Sequence, residues 1–464
     1  MLRTRFVRLF KPAFRTASRS KLHTSEVPIS ADKCHQLAVE NKNNAFVHVV
    51  DHNHVAKKIQ ESAQRQSPLS PIDGVPFAIK DNFCTKDIPT TAASSMLKDF
   101  VPSYDATIYE KLENAGAILI GKTNLDEFAM GSSTTFSLFG ATKNPITSEE
   151  TIAGGSSGGS AASVAEGSSA FSIGSDTGGS VRQPASYCGI VGFKPSYGAC
   201  SRHGVISFAS SLDTVGILSP SVHQAGLVYN VIRGQDSKDS TSHNNSTPYT
   251  QQQNHKKFKI AVPVEYFVDE LEEEVVKVWQ SAIDHFKSLG AEVQYVSLPH
   301  TKFALSAYYI IASAEASSNL GRYDGIRYGG VHDAESKTLH QKYISNRSKG
   351  FGDEVKRRIM TGTFALSVGE YKTYFEKAQK MRSLIARDFQ NVFDDGFDLV
   401  LTLTTPTCAI PSKTFNDLSP VDVYVNDLFT VPASLAGLPA ISVPWRTENS
   451  QLKFAHRHPT DIFK

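Results

Sequence analysis

Long apolar runs are missing from this 464-residue chain. Nothing approaches the ~18 uninterrupted apolar residues of a membrane-spanning helix, so none is expected. Cysteine is scarce: Cys34, Cys84, Cys188, Cys200 and Cys408 form no CxxC pair and have no histidine at zinc-ligand spacing. That spacing excludes a disulfide or zinc framework and reads as thiols of a reducing compartment. Metal and cofactor signals are absent with it. Acidic side chains are missing from residues 1–25, which hold Arg3, Arg5, Arg8, Lys11, Arg15, Arg19 and Lys21 among Ser, Thr, Leu and Phe. No long apolar core accompanies these charges, so they read as a mitochondrial transit peptide rather than a secretory signal. The alternative is a basic arm that binds nucleic acid. Setting these seven aside lowers the basic residues from 48 to 41 against 46 acidic ones. The remaining body is then mildly acidic and a poor nucleic-acid binder by itself.

Hydrophobic residues at 40% and charged residues at 20% are ordinary for a globular protein with a large core. Residues 26–66 read as helical and polar. From Ile79 to about Ile232, short β-like runs alternate with small-residue helices, which predicts an α/β fold. Within it, Ile108–Asn114 reads as a helix, Ala117–Ile120 as a buried strand and Ala161–Ala165 as a close-packed helix. Residues 235–257 are polar and predict a surface excursion. Phe258–Val262 then predicts a strand. Val275, Val276, Trp279, Ile283 and Phe286 recur at helical spacing, with Gly290 placed to end that helix.

Three glycine motifs compete for the chemistry. Gly116 to Thr123 satisfies the phosphate-loop pattern G-x-x-x-x-G-K-[ST]. Its four intervening residues are apolar strand formers, however, and a phosphate cradle needs a turning loop. Gly154-Gly-Ser156-Ser-Gly158 satisfies the G-x-S-x-G nucleophile elbow, but Thr151–Ala153 is too short for the strand that an elbow requires. The bland alternative is a flexible linker. The third pattern is longer. Gly154 to Ser160 and Gly174 to Ala185 form two glycine–serine loops, with Ser156 and Ser180 placed 24 positions apart. Upstream, Lys80 closes the apolar run Val75 to Ile79. A lysine buried there loses its charge easily, because desolvation lowers its pKa from ~10.4 toward neutrality.

These three segments resemble the amidase signature family, over most of residues 70–444. Leu125 to Ser133, Ser201–Ser219, Glu315 to Leu320, Gly352–Leu366 and Val425–Pro444 are similar to its glutamine-dependent aminoacyl-tRNA amidotransferase branch. The resemblance implies one amidase domain over residues 26–464, with a large mixed β-sheet flanked by helices on both faces. It implies Ser180 as nucleophile, Ser156 as the bridging serine on a cis peptide, and Lys80 as terminal base. The backbone N–H groups of Thr177, Gly178, Gly179 and Ser180 are the implied oxyanion hole. Arg358 (with Arg357 as the neighbouring alternative) is implied to hold the α-carboxylate of glutamine, Asp427 its ammonium, and Tyr309 to line the same pocket. Taken without the family, Arg358 reads as a surface charge and Asp427 as a helix cap.

The implied activity is a mitochondrial-matrix glutaminase whose ammonia converts Glu-tRNA(Gln) to Gln-tRNA(Gln). The implied partners are a small accessory subunit together with a kinase-like, tRNA-binding B-type subunit. ATP and Mg2+ are used by the complex, with no cofactor on this chain. A free-standing amidase for small carboxamides is the rival, and a non-catalytic scaffold the third reading. After Pro444 the sequence departs from the family pattern.

Overall fold

The computed structural model describes residues 30–244, 246–251, 257–330 and 336–445. The basic segment 1–25 and everything beyond Trp445 lie outside the described residues. Seven strands form a mixed sheet: β1 (Phe46–Val49), β2 (Pro76–Lys80), β3 (Ile118–Thr123), β4 (Phe171–Asp176), β5 (Val191–Lys194), β6 (Thr214–Ser219) and a late strand, Ala440–Ser442. Their spatial order is β1-β3-β2-β4-β6-β5 and then Ala440–Ser442. The centre, β3-β2-β4, is parallel, and the outer pairings are antiparallel. A separate parallel sheet sets β7 (Lys259–Pro263) between β8 (Glu292–Val296) and β9 (Leu399–Val400). The Ala440–Ser442 strand is β10.

Every residue of β2, β3, β4 and β6 is buried. Strands covered on both faces read as continuous apolar runs rather than alternating ones. Period-two geometry still divides the core. Ile217 packs with Phe77, Ile79 and Phe171 on one face, while Leu218 packs with Val181, Ala161 and Val164 on the other. Helix Gly158–Ala165 serves the second face, and its small side chains let it lie close against β4 and β2.

Most of the expected elements are present: helices at Thr107–Asn114, Gly158–Ala165 and Glu273–Ser288, with Gly290 at φ +84 beyond the last, and strands β3 and β7. Two expectations need correction. Residues 31–63 are not all helical, because β1 separates helices Ala31–Glu40 and His52–Ala63. The carbonyl of its His48 comes so close to Gly121 that no Cβ would fit there. The excursion after Gln235 is tied down rather than merely superficial. Asp236 accepts the Thr107 hydroxyl at 2.7 Å and the Ser201 hydroxyl at 2.6 Å, and Asp239, Ser242 and Ser246 are buried. Among the described residues the later half is largely helical around its own three-stranded sheet.

Candidate active site

β2 and β4 run parallel, with Ile79 opposite Ile173, so Lys80 and the Ser175-Asp176 pair emerge together at their carboxyl ends. This is where open parallel sheets place ligands. Lys80 is fully buried. Its Nζ lies 2.8 Å from Ser156 Oγ and 3.0 Å from Ser175 Oγ. Burial pushes its pKa down to about 7, against the opposing pull of Asp126, Asp176 and Asp213. The neutral amine is therefore accessible near physiological pH.

Ser156 follows a cis peptide bond from Gly155. Its carbonyl accepts the Asp126 N–H at 3.3 Å, and Asp126 in turn accepts N–H groups from Ser133, Thr134 and Phe136. The two glycine–serine loops meet through the Ser157 N–H, which donates to the Ser180 carbonyl at 3.1 Å. The Ser180 hydroxyl itself, on a residue 7% exposed, has no hydrogen-bond partner among the described residues. The structure thus closes the link between Lys80 and Ser156 and leaves the link from Ser156 to Ser180 Oγ unmade.

The turn from Thr177 to Ser180 is held from beneath by Asp176 and Arg182. Arg182 donates to both Asp176 oxygens, at 2.9 and 3.0 Å, and to the carbonyls of Gly178 at 3.1 Å and Thr430 at 2.8 Å. Burial alone would raise the Asp176 carboxyl. The Arg182 guanidinium and backbone donors outweigh it and hold the group below the ordinary carboxylate range. Thr177 is fixed through its hydroxyl, 2.8 Å from Asp213. The N–H groups of Gly178, Gly179 and Ser180 have no partner among the described residues. Both glycines are needed for close approach. A Cβ on Gly178 would sit 2.6 Å from the Tyr308 ring, and one on Gly179 would strike Thr430.

Beside this turn lies an aromatic-walled cation. Arg358 is buried on helix Asp353–Ala365, with its guanidinium 5.2 Å from the Tyr309 ring centre, 5.8 Å from Tyr424 and 5.5 Å from Phe208. Its Nε donates to Glu354 at 2.7 Å, while its terminal nitrogens have no hydrogen bond among the described residues. Burial works against its charge, yet Glu354 and the surrounding tyrosines keep its pKa above the ordinary guanidinium value. The Tyr309 hydroxyl donates to Asp427 at 2.9 Å, and the Tyr309 and Tyr424 rings stack at 3.9 Å. Asp427 is pushed up to about 6 by burial, against the Tyr309 bond and Arg358.

Neither bland reading of these residues holds: Arg358 is not a surface charge, and Asp427 turns its carboxylate to Tyr309 instead of capping a helix. Arg357 is exposed and pairs with the outer side of Glu354, so Arg358 is the arginine facing the pocket. Sequence reasoning missed Ser175, Asp176, Arg182, Asp213, Glu354 and Tyr424. Asp176 and Arg182 lay inside the second loop motif. Glu354 lay four residues before Arg358, a readable ion-pair spacing. Asp213 and Tyr424 are joined to the site by tertiary contacts alone.

The competing motifs fall away. Lys122, at the end of the phosphate-loop pattern, is buried in β3 against Asp81 at 3.3 Å. Only isolated bridges precede Ser156, at Thr151 and Ile152. Among the described residues, no helix is long and apolar enough to cross a membrane, and no cluster of His, Cys, Asp or Glu is arranged to hold a metal.

A family model described as Amidase matches residues 32–453. The chain is 51% identical over 414 residues to the A-type subunit of glutamyl-tRNA(Gln) amidotransferase from Carboxydothermus hydrogenoformans, across 88% of this chain and 84% of that protein. It is 49% identical over 437 residues to the protein of the same name from Wolbachia pipientis wMel, covering 91% of this chain and 88% of that one. Among solved structures, the A-type subunit of the Thermotoga maritima glutamyl-tRNA(Gln) amidotransferase aligns with a TM-score of 0.69 and 37% identity, over 91% of this chain and 90% of that one. A bacterial aryl acylamidase aligns with a TM-score of 0.75 over 90% of this chain and 86% of that one, and at 23% identity it shares the fold. Carrying both glycine–serine loops of the signature within a family match that spans most of its length, the chain belongs to the amidase family.

Proposed function

We propose that this chain is the glutaminase component of a mitochondrial glutamyl-tRNA(Gln) amidotransferase, with Ser180, Ser156 and Lys80 as its catalytic relay. The observation that carries the reading is the juxtaposition of two halves of one pocket. A buried lysine near neutrality touches Ser156 below the Ser180 turn. A buried arginine and aspartate stand beside that turn, across Tyr308 and Tyr309. Near-half identity to bacterial A-type subunits supports the same substrate. The basic, acid-free residues 1–25 support the mitochondrial matrix as the compartment.

In this mechanism glutamine lies with its α-carboxylate on the free nitrogens of Arg358 and its ammonium on Asp427, along the Tyr309 wall. A bidentate guanidinium suits a carboxylate in a dry pocket. Neutral Lys80 takes the Ser156 proton as Ser156 takes that of Ser180, since a hydroxyl both donates and accepts. Ser180 Oγ must swing onto Ser156 for this transfer and then attacks the side-chain carboxamide carbon. The N–H groups of the Thr177–Ser180 turn receive the oxyanion, each donor of this kind contributing ~3 kcal/mol. The relay returns its proton to the departing nitrogen, which leaves as ammonia, and water releases glutamate from the Ser180 ester.

The ammonia passes to a kinase-like, tRNA-binding B-type partner, where ATP and Mg2+ activate Glu-tRNA(Gln); a small accessory subunit completes the complex. The test is glutamine-dependent ammonia release by the chain with its co-purifying partners, with Ser180→Ala as control. Release that depends on Ser180 and rises with Glu-tRNA(Gln) and ATP is expected. Ser180-dependent release from simple amides but not from glutamine would replace this reading with a free-standing amidase.

A further inference from the structure

The segment Leu125 to Ser133 lies between the two halves of the pocket and touches both. On one side, the Asp126 N–H donates to the carbonyl of Ser156. On the other, the next residue reaches the helix that carries Arg358. Glu127 is buried, and its Oε2 accepts the Gly352 N–H at 2.8 Å, while its Oε1 accepts the Ser94 hydroxyl. Gly352 is the N-cap of helix Asp353–Ala365 and has no side chain to satisfy that end. A helix start exposes N–H groups and positive potential, and an acidic oxygen there answers both. Here the carboxylate arrives from 225 residues earlier in the chain. Phe128 adds a second fixed point, with its ring centre 5.7 Å from that of Phe351, just before the cap.

The backbone of this segment is bent to make both contacts. Phe128 and Ala129 have φ of +51 and +61, in the left-handed region that non-glycine residues seldom adopt. The capped helix continues directly to the pocket. Glu354 lies in its first turn and Arg358 four residues later, so the seat of Gly352 sets where the guanidinium points.

We infer that Glu127 is the positioning residue of the substrate-carboxylate grip, seating the N-terminus of helix Asp353–Ala365 so that Glu354 and Arg358 face the Ser180 turn. It touches no substrate and acts through the helix. This inference rests on the reading of Arg358 as the glutamine-carboxylate ligand. Lys356 and Asp353 face Glu127 from the helix, Ser94 faces it from the neighbouring turn, and burial pushes its carboxyl up to about 7. The charge that seats the helix is therefore partly lost just below neutral pH.

The test compares wild type, Glu127→Gln and Arg358→Lys, each purified with the subunits that accompany the chain, on two amides. Glutamine has the α-carboxylate, and butanamide lacks it. Glu127→Gln keeps the size of the side chain and an acceptor oxygen, and a thermal melt verifies that it folds. Its KM for glutamine is expected to rise about tenfold while kcat stays within about twofold, the split that marks lost binding rather than lost chemistry. Its kcat/KM for butanamide is expected to match wild type. Wild-type KM for glutamine is further expected to rise as pH falls through about 7, a step that Glu127→Gln loses while keeping the rise below about 6 that Asp427 imposes.

Equal losses on both amides, or no change on either, would overturn the positioning role while leaving the grip intact if Arg358→Lys still loses glutamine selectively. An Arg358→Lys variant with unchanged glutamine KM would overturn the grip itself, and this inference with it.

Discussion

Lys80 Nζ and Ser156 Oγ lie 2.8 Å apart with both residues wholly buried, and among the described residues no carboxylate is bonded to the amine. An ammonium in that position is costly, so the surroundings favour the base form that a serine relay requires.

The pH dependence of catalysis follows from this pair. Lys80 is protonated below about 7 and free to accept a proton above it, so kcat/KM for glutamine is expected to climb with pH through that value. Lys80→Met should lower kcat by about 10²–10⁴-fold, the range for loss of a positioned base. Ammonia release across pH 5.5 to 9, on the order of the range in which lysines so buried titrate, checks both; activity that persists in the methionine variant would remove Lys80 from the relay.

The same shift has a thermodynamic sign. The folded-state value lies far below that of the unfolded chain, so between about 7 and the ordinary lysine value the unfolded state binds more protons. Stability from this group therefore rises with pH across that window. The melting-temperature difference between wild type and Lys80→Met is expected to move in favour of wild type from pH 7 to higher pH; an unchanged difference would mean that Lys80 folds charged.

Asp176 and Arg182 form a buried pair in which each satisfies the other. Arg182→Met leaves an uncompensated carboxylate beneath the Ser180 turn and is expected to cost about 3–5 kcal/mol in urea unfolding. Combining it with Asp176→Asn should return part of that loss. Because Asp176 is held below the ordinary carboxylate range, its stabilisation is present at neutral pH and fades as acid reaches its folded-state value. Additive costs in the double variant would show that the two do not interact.

Gly178→Ala forces a methyl group into the Tyr308 ring. The expected result is a fall in kcat of about 10²-fold or more with KM little changed, as for a displaced oxyanion donor. Pairing it with Tyr308→Phe removes only the hydroxyl and should not restore the rate, because the ring carbons themselves occupy the space. Recovery in that pair would place the clash at the hydroxyl instead.

At the other end of the pocket, Asp427 titrates near 6, so glutamine binding is expected to weaken as pH falls below that value. Isothermal titration of the Ser180→Ala chain with glutamine measures this without turnover. Affinity that is constant from pH 7 to 5 would exclude Asp427 as the ammonium ligand, since a titration near 6 spans about that interval.

The chain wrote its central α/β core plainly, because β2, β3, β4 and β6 are buried along their whole length and the helix at Ala161 is marked by small residues. The glycine–serine loops and Lys80 were equally legible, since a close-approach turn leaves its residue types in the sequence. What sequence could not decide depends on partners far along the chain. Only tertiary packing turned Arg358 inward and left Arg357 exposed, because Glu354 pairs with both arginines while the Tyr309 and Tyr424 rings of two other segments wall the Arg358 face alone. Asp427 carried the same letters as a cap, and the Tyr309 hydroxyl, 118 residues away, drew it into the pocket. β1 was itself written as the largely apolar run Ala45–Val50, and it was missed because the polar sequence on both sides of it reads as helical. Residue type thus marked the Lys80–Ser156–Ser180 end of the site, where burial and backbone geometry demand particular side chains, while the Arg358–Asp427 end was decided by contacts between segments far apart in the chain.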